Sequence, residues 1–488
     1  MSEAPTSELA RDQEWQRLDP RMMLVHPIRE VGRFIIPLVA VFVAGAATER
    51  PWQYLTIVVP IALGLARYLT TSFRIANGRV ELKRGLLSRH VLSAQLERVR
   101  TVDLTASPIH RILGLTTVRV GTGTASTSED ERLDLDGLPV DRARQLRDEL
   151  LRVAPVATGP TASTNGGPAV RFDPSWLRFA PFTSAGVVMA AALLGLGSQF
   201  LNAIDYYDNL DPDEWSLAVP IWTTVMLAIF GLGIAAVVLS VIGYLITNWA
   251  FRLGHADGSW HVSRGLLTTR ETSLDDERVA GVSIGEPLGL RAARGARLNA
   301  IATGLRAAQQ GSSALLPPAP REVIDRAAVA IVGSRPSVLG PLQDHGPAAR
   351  RRRYFRALTP TLVLAAVVLG LVVADRAPWW LLISVALVVA AAAGLAADRS
   401  RALGHLLVDG HLVARSGSLL RSRAVLGTEH VIGWTFQSTF WQRRVGLTSM
   451  MATTAGGGGA VTLIDVPEQM AVELADAGVP GLVGQFLE

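Results

Sequence analysis

Three glutamates stand at matching positions in three stretches of the chain: Glu97, Glu277 and Glu429. A carboxylate can act as a general acid or base or bind a lipid headgroup, but catalysis normally needs a second acid or base beside it in a cleft. No such partner recurs with the three glutamates. We therefore interpret them as structural groups at strand starts, which pair with a neighbouring arginine (Arg98 or Arg278) or cap backbone amides.

Histidines and glycines add little support for metal binding or catalysis. His255 and His261 are six residues apart, as are His405 and His411, so each pair would share one face of a strand. The two pairs fall at different positions of the repeat described below. The glycines within 456–459 are not followed by a helix carrying Lys and Ser or Thr, as a phosphate-binding loop requires. The chain has no cysteine. We expect no enzyme activity, metal or cofactor.

A basic cluster is the remaining candidate site: Arg350, Arg351, Arg352, Arg353 and Arg356. It directly precedes an apolar stretch. A basic run can bind nucleic acid, but beside a membrane helix its usual roles are to set topology and to contact anionic lipid, each cation adding about 1 kcal/mol near the surface. We interpret it as a membrane-interface cluster and expect no nucleic-acid partner.

The composition explains why a membrane is expected at this point. Of 488 residues, 49% are hydrophobic and 18% are charged, and the mean hydropathy is +0.29, whereas soluble proteins have about 25% charged residues. A spanning helix needs roughly 20 apolar residues. Six apolar stretches approach or reach that length, in three pairs: 34–47, 52–69, 179–201, 217–247, 358–374 and 378–397. The first is short and flanked by charges, so whether it crosses completely stays open.

The charges around the pairs predict their orientation. Arginines flank the outer ends of the pairs, whereas the link at 202–216 is acidic. Cytoplasmic loops of membrane proteins are enriched in Lys and Arg. The pairs are therefore predicted to be hairpins whose tips face outward, with both termini and all long segments in the cytoplasm.

A water-soluble segment follows each hairpin, and the three segments share one pattern. They align without a gap from one glycine to a second glycine seven positions later, and then to a glutamate and a valine. A further glycine lies 29–30 residues after the second. The shared positions are Gly78, Gly85, Glu97 and Gly114, then Gly258, Gly265, Glu277 and Gly295, then Gly410, Gly417, Glu429 and Gly446. Such recurrence indicates an internal repeat.

Local signals predict several antiparallel strands and one closing helix in each repeat. Asn or Asp precedes the first glycine of each copy, a strong signal for a β-hairpin turn. Apolar residues then alternate, as in a half-buried strand. The last strand-like run of each copy ends at a proline (Pro139, Pro320 or Pro467), where a helical pattern begins, and proline is favoured in the first turn of a helix. The predicted helices are 140–152, 321–332 and 468–477.

This order of motifs resembles the bacterial pleckstrin-homology (PH)-like domain family in its YdbT-like membrane form. The resemblance rests on the hairpin glycine, the Arg-Gly-Leu-Leu motif, the Glu-Arg-Val element and the late glycine. The third copy departs from it, with Glu-His-Val at 429–431. The resemblance implies an α+β membrane protein with six transmembrane helices in three hairpins. It also implies three PH-like antiparallel β-sandwich domains, each capped by a C-terminal helix.

The predicted organisation alternates hairpins with domains. The N-terminal segment is 1–30, the hairpins are 31–70, 176–248 and 350–398, the PH-like domains are 71–153, 249–333 and 399–488, and the flexible linkers are 154–175 and 334–349.

The family has no settled biochemical activity, so the resemblance implies fold more than function. We expect a non-enzymatic protein of the bacterial inner membrane that presents its domains to protein partners, membrane lipid or copies of itself, in a process such as envelope stress or export. A transporter or export-system component is the alternative, and it predicts polar groups converging between the spans. A lipid-modifying membrane enzyme is a third reading, and it predicts a reactive cluster near the interface.

Overall fold

The computed structural model describes two compact units, which are residues 1–169 with 250–278, and residues 170–249 with 279–488. The described residues are 15–17, 19–23, 25, 70–76, 79–84, 90–95, 101–121, 133–152, 170–183, 186, 195, 221–256, 258–302, 313–455 and 459–481. The predicted spans 34–47 and 52–69, most of 179–201, the acidic link 202–216, and Gly78, Gly85 and Glu97 lie outside them.

The first segment contains strands and two helices. Its elements are β1 (Gln16–Arg17), β2 (Ser72–Ala76), β3 (Arg79–Arg84), β4 (His90–Gln95), β5 (Thr101–Ala106), α1 (Pro108–Ile112), β6 (Leu115–Gly121), β7 (Leu133–Pro139) and α2 (Val140–Arg152).

The second segment follows an apolar helix and repeats this order. Its elements are β8 (Val170–Arg171), a 3-10 helix (Pro174–Phe182), α3 (Ile221–Asn248), β9 (Arg252–Ala256), β10 (Ser259–Arg264), β11 (Thr269–Asp275), a 3-10 turn (Asp276–Arg278), β12 (Val279–Pro287), α4 (Leu288–Ala292), β13 (Gly295–Ala302), β14 (Ala314–Pro320) and α5 (Arg321–Val332).

The third segment follows two long helices and has the same order again. The elements are α6 (Arg335–Leu339), α7 (Gly346–Val373), α8 (Leu381–Ala402), β15 (Gly404–Val408), β16 (His411–Ser416), β17 (Leu420–Gly427), a 3-10 turn (Thr428–His430), β18 (Val431–Gln437), α9 (Phe440–Arg443), β19 (Leu447–Thr454), β20 (Ala460–Pro467) and α10 (Glu468–Gly478).

The turn and helix signals of the sequence correspond to observed elements. The predicted closing helices are α2, α5 and α10, each starting directly after its proline. Asp409 and Gly410 both have positive φ, of 49° and 70°, as a type I′ hairpin turn requires. Near the late glycine of the repeat, each segment has one residue with positive φ. It is Gly114 in the first segment and Gly446 in the third, but in the second it is Arg294 (58°), one residue before Gly295. The equivalent of the late glycine is therefore Arg294.

In the first unit two antiparallel sheets enclose a core. One sheet has the order β1-β2-β3-β4, and the other continues through β7-β6-β5-β11-β10-β9. Phe73 and Leu82 from the first sheet pack with Val102 and Leu104 from the second. Helix α2 closes this core with Ala143 and Leu146.

In the second unit a six-stranded antiparallel sheet has the order β14-β13-β12-β17-β16-β15, and a three-stranded sheet has the order β18-β19-β20. The core between them contains Leu412 and Leu426 from the larger sheet, Met450 and Leu463 from the smaller sheet, and Leu474 from α10.

The sheets of both units continue from one segment into the next. In both units, strands from the latter half of one segment pair with strands from the first half of the next, as β5 does with β11 and β12 does with β17. Strand pairing between segments is non-local, so the alternating pattern within each strand carries no information about it. The antiparallel sheets and capping helices are compatible with PH-like domains.

Three helices among the described residues are long and apolar enough to cross a membrane, not six: Phe230–Asn248 within α3, then α7 and α8. Helices α7 and α8 form a pair whose apolar side chains are largely exposed, with Val373 77% exposed and Leu387 67%. Exposed apolar surface of this extent is rare in soluble monomers. The three helices indicate membrane association.

The segment 334–349, predicted to be a flexible linker, is ordered. It contains α6 with Val338 fully buried, and Gln343 forms a β-bridge with His405. Buried Arg423 donates from Nη2 to the carbonyl oxygens of Ser337 and Gly340, at 3.1 Å and 3.0 Å. The sequence composition resembles that of a linker, but these tertiary hydrogen bonds fix its backbone.

Candidate functional site: the segment joints and the helix anchors

Two pairs of hydrogen-bonded strands connect successive segments, and we call them joints: β5 with β11 is the first joint, and β12 with β17 is the second. Both joints have the same register. Val102 pairs with Ser273 in the first unit, and Val282 pairs with Val425 in the second. In both pairs the first residue lies 17 positions after the second glycine of its segment, and its partner lies eight positions after the corresponding glycine of the next segment. Ser273 and Val425 are 1% and 0% exposed. The same geometry is therefore used twice.

The second joint is unusually close at Gly281. A Cβ on this residue would lie 2.0 Å from the carbonyl oxygen of Val425. The register of β12 against β13 shifts between Val279 and Gly281, as at a β-bulge, and bulges redirect a strand locally. Glycine is needed here because the neighbouring strand leaves no space for a side chain.

An arginine clamps each joint, and the sequence analysis missed both. Arg111 Nη1 donates to the carbonyl oxygen of Leu266 at 2.5 Å, and Arg291 Nη1 donates to that of Ser418 at 3.4 Å. Each arginine lies 26 positions after the second glycine of its segment, and each acceptor lies one position after the next such glycine. Arg443 occupies the same position in the third segment. This threefold recurrence was the available signal.

The predicted basic cluster is divided between ion pairs and exposed surface. Arg352 forms an ion pair with Asp465 Oδ1, and Arg353 Nη2 lies 2.7 Å from Asp465 Oδ2. Asp465 is fully buried and also accepts a 2.8 Å hydrogen bond from Gln442 Nε2. Arg350 pairs with exposed Asp344 at 2.9 Å. Two of the five arginines therefore bind the third segment, while Arg350, Arg351 and Arg356 are exposed.

A second carboxylate anchors the other helix of the pair. Asp398, near the end of α8, forms two ion pairs. Its Oδ1 is 2.7 Å from Arg421 Nη2, and its Oδ2 is 3.0 Å from Arg291 Nη2. Arg421 belongs to β17 of the third segment and Arg291 to α4 of the second. Arg291 thus joins the strand joint to the apolar helix with one guanidinium group.

Two histidines lie stacked beside the first anchor. The ring centroids of His345 and His405 are 5.0 Å apart, and both side chains are about 1% exposed. His345 Nδ1 is 3.0 Å from the carbonyl oxygen of Ile464. Burial, together with the charge of His345, lowers the pKa of His405 from 6.5 to about 4. Burial also lowers the pKa of His345. Both rings are therefore neutral at pH 7.

Two of the three predicted glutamates, Glu277 and Glu429, are among the described residues, and both lie on exposed turns. Glu277 and Glu429 each occupy a 3-10 turn directly before a strand, and the Glu429 side chain is 82% exposed beside His430. The side chains of His255 and His261 have different neighbours: His255 Nε2 is 2.6 Å from Asp276 Oδ2, and His261 Nδ1 is 2.9 Å from Ser273 Oγ. Among the described residues, no group of three or more His, Asp or Glu could hold a metal ion.

Each segment also has a one-turn helix that carries exposed apolar side chains. Ile112 in α1 is 84% exposed, Leu288 in α4 is 47% exposed, and Phe440 and Trp441 in α9 are 53% and 69% exposed. The residue before α9, Thr439, accepts a 3.3 Å hydrogen bond from Arg352 Nη2. The aromatic pair of α9 is therefore fixed beside the basic end of α7.

A family model described as the bacterial PH domain matches residues 28–154 and 354–476, about half of the chain. These regions contain the first segment from β2 onward, most of the third segment, all of α8 and the part of α7 from residue 354 onward. Comparisons with curated proteins and with solved structures found no match.

Proposed function

The chain belongs to the bacterial PH domain family, and from this premise we propose that it is a non-enzymatic scaffold of the bacterial inner membrane. In this proposal the three segments are PH-like modules in a YdbT-like arrangement. They lie on the cytoplasmic face and bind other proteins at the membrane surface, with the acidic and basic groups of the helix ends holding them there.

The observation that carries this proposal is the pair of ionic anchors at one end of α7 and α8. Asp465 forms ion pairs with two arginines of α7, and Asp398 of α8 forms ion pairs with Arg291 and Arg421. Breaking a buried ion pair by removing one partner costs about 3–5 kcal/mol. Module and helix pair are therefore expected to behave as one body, and a membrane anchor of this kind positions a binding surface.

The surface near these anchors suits the headgroup region of a bilayer. Phe440 and Trp441 are exposed, and Arg351 and Arg356 are exposed on α7. Aromatic and basic side chains are enriched where membrane proteins meet headgroups. We propose that these four residues contact lipid and set the height of the third module above the membrane.

The distribution of charge in the apolar helices favours a scaffold over an ion-coupled transporter. Helix α3 contains no charged residue, and the charges of α7 and α8 lie near the helix ends that meet the modules. Coupled transporters normally place ionisable residues within the membrane. Among the described residues, no such group supports the transporter alternative.

The scaffold role can be tested by extraction and by site-specific capture. The full chain should remain in bacterial membranes after alkaline carbonate treatment. A photo-crosslinker at Trp441 should capture lipid, whereas one at Glu429, on an exposed turn, should capture protein or nothing. Release of the chain by carbonate, or reconstituted protein that moves ions or peptides across vesicles, would contradict the proposal.

A further inference from the structure

We infer that a second copy of this chain binds to the third module by adding its strand β4 to the edge of β18. This inference rests on the proposed modular arrangement and specifies one partner for it. The resulting contact would be a third joint of the kind already present twice within each chain.

Both strands needed for such a joint are at sheet edges. Among the described strands, β18 pairs with β19 and β4 pairs with β3, and each is the last strand of its sheet. Strand β18 is equivalent to β5 and β12, which pair with the next segment, and β4 is equivalent to β11 and β17, which complete those joints. The chain therefore has one unused copy of each half of the joint.

Strand β18 also keeps the special shape of β12. Its register against β19 shifts between Val431 and Gly433, as that of β12 against β13 shifts between Val279 and Gly281. A Cβ on Gly281 would collide with the neighbouring strand, whereas a Cβ on Gly433 would meet nothing within 4 Å. The glycine that makes close approach possible is therefore present in β18, while the space beside it is open.

The register shared by the two internal joints fixes the register of the third. It places Trp434 opposite Ser93 and Phe436 opposite Val91. Phe436 is 39% exposed and Val91 is 54% exposed. An aromatic residue facing a β-branched residue is a favourable cross-strand pair. The two exposed apolar side chains would thus cover each other.

The arginine that clamps each joint also has a third copy, Arg443, which has no joint to clamp among the described strands. Arg443 is exposed and donates to the carbonyl oxygen of Ser438, in its own module, at 3.1 Å. Arg111 and Arg291 each donate to the residue that follows the second glycine of the next segment, and a contact of Arg443 with the second copy would follow the same pattern. Because the two edges of this interface differ, association is head to tail, and it produces closed rings or open filaments.

Cysteine crosslinking tests the register directly, since the natural chain has no cysteine. Two differently tagged full-length copies, one Phe436→Cys and one Val91→Cys, are co-expressed and oxidised in isolated membranes. Directly opposed residues in antiparallel strands have Cα atoms about 4.5–5.5 Å apart, within the range that a disulfide spans. A mixed-tag disulfide dimer is expected.

Ile432→Cys paired with Val91→Cys is the matched control, because Ile432 is on the same strand and is 63% exposed. It lies four positions out of register, a displacement of about 13 Å. We expect about tenfold less dimer from this pair, because a disulfide tolerates so little separation. Equal yields from the two pairs, or no crosslink from Phe436→Cys, would overturn the inference.

Two further variants separate the inference from other outcomes. Gly433→Val in the Phe436→Cys copy should abolish the dimer while leaving the protein folded, since its Cβ has open space within one chain. With both cysteines in one chain, a ladder of crosslinked oligomers is expected, and a crosslink confined to single chains would refute the second copy as partner. Retention of the chain in the same membranes after alkaline carbonate treatment tests the scaffold proposal independently of the crosslinks.

Discussion

Gly281 and Val425 approach each other so closely across the second joint that a Cβ on Gly281 would lie 2.0 Å from the carbonyl oxygen of Val425. That contact joins β12 of one segment to β17 of the next. It shows that the strand pairing of the second joint depends on a backbone position that leaves no space for a side chain.

Gly281→Ala should therefore lower the thermal unfolding temperature of the detergent-solubilised chain. Overpacking of this kind costs about 1–3 kcal/mol, and relaxation would have to separate the two strands. Gly433→Ala is the matched control, since it changes the equivalent glycine of β18, and it should leave the unfolding temperature unchanged. Equal effects from the two variants would contradict the assigned packing of the joint.

Asp465→Asn should strongly destabilise the third module. The substitution keeps a residue type that tolerates the φ of 59° found at this position, but it leaves Arg352 and Arg353 without their buried counter-charge. We expect a loss of about 3–5 kcal/mol in the free energy of unfolding. Asp344→Asn, which removes an exposed partner of Arg350, should cost less than about 1 kcal/mol. Chemical denaturation in mild detergent measures both.

Acidification should weaken the packing around His405. Its pKa of about 4 in the folded protein is below the ordinary value of about 6.5, so between these values the unfolded chain binds more protons. Stability is then fully present above about pH 6.5 and decreases as the pH falls towards 4, with a slope of up to about 1.4 kcal/mol per pH unit for each proton.

His405→Phe should flatten that dependence, because it keeps a ring against His345 and removes one titrating group. Unfolding temperatures measured between pH 7.5 and 5 would show the difference. His411→Gln is the control, since His411 lies outside the stacked pair, and it should retain the slope of the natural protein. A slope unaffected by His405→Phe would show that other groups cause the pH dependence.

Arg111→Met should loosen the first joint. The substitution keeps an unbranched apolar chain but removes the hydrogen bond to the Leu266 carbonyl. Amide exchange in β5 and β11 should accelerate by about fivefold, corresponding to about 1 kcal/mol for one hydrogen bond. Arg443→Met, at the equivalent position of the third segment, should leave exchange in these two strands unchanged. Uniform acceleration in both variants would argue against a specific clamp.

The local structure could be predicted from the sequence because its signals are local. The prolines before α2, α5 and α10 and the Asp-Gly turn at 409–410 identified helices and a hairpin from a few neighbouring residues. The strand joints depend on partners more than 100 residues apart, as in the pairing of Val282 with Val425. Alternation within a strand does not distinguish such a partner from a nearby one.

The helix anchors and the joint arginines could be predicted only in part from the sequence, for a related reason. The arginines at 350–353 were identified, but a sequence cannot show that Arg352 and Arg353 turn towards a carboxylate more than 100 residues away. The aligned arginines at 111, 291 and 443 were visible as a recurrence. Their role became clear only from their acceptors, the carbonyl oxygens of Leu266 and Ser418, because the sequence does not show which distant backbone group an arginine contacts.

Membrane topology measured with single cysteines tests the central claim most directly. Arg376 is exposed in the link between α7 and α8, whereas Glu277 and Glu429 are exposed on turns of the second and third segments. In spheroplasts, a membrane-impermeant maleimide should label Arg376→Cys at once, and should label Glu277→Cys and Glu429→Cys only after lysis. Rapid labelling of Glu429→Cys in sealed spheroplasts would contradict a scaffold on the cytoplasmic face.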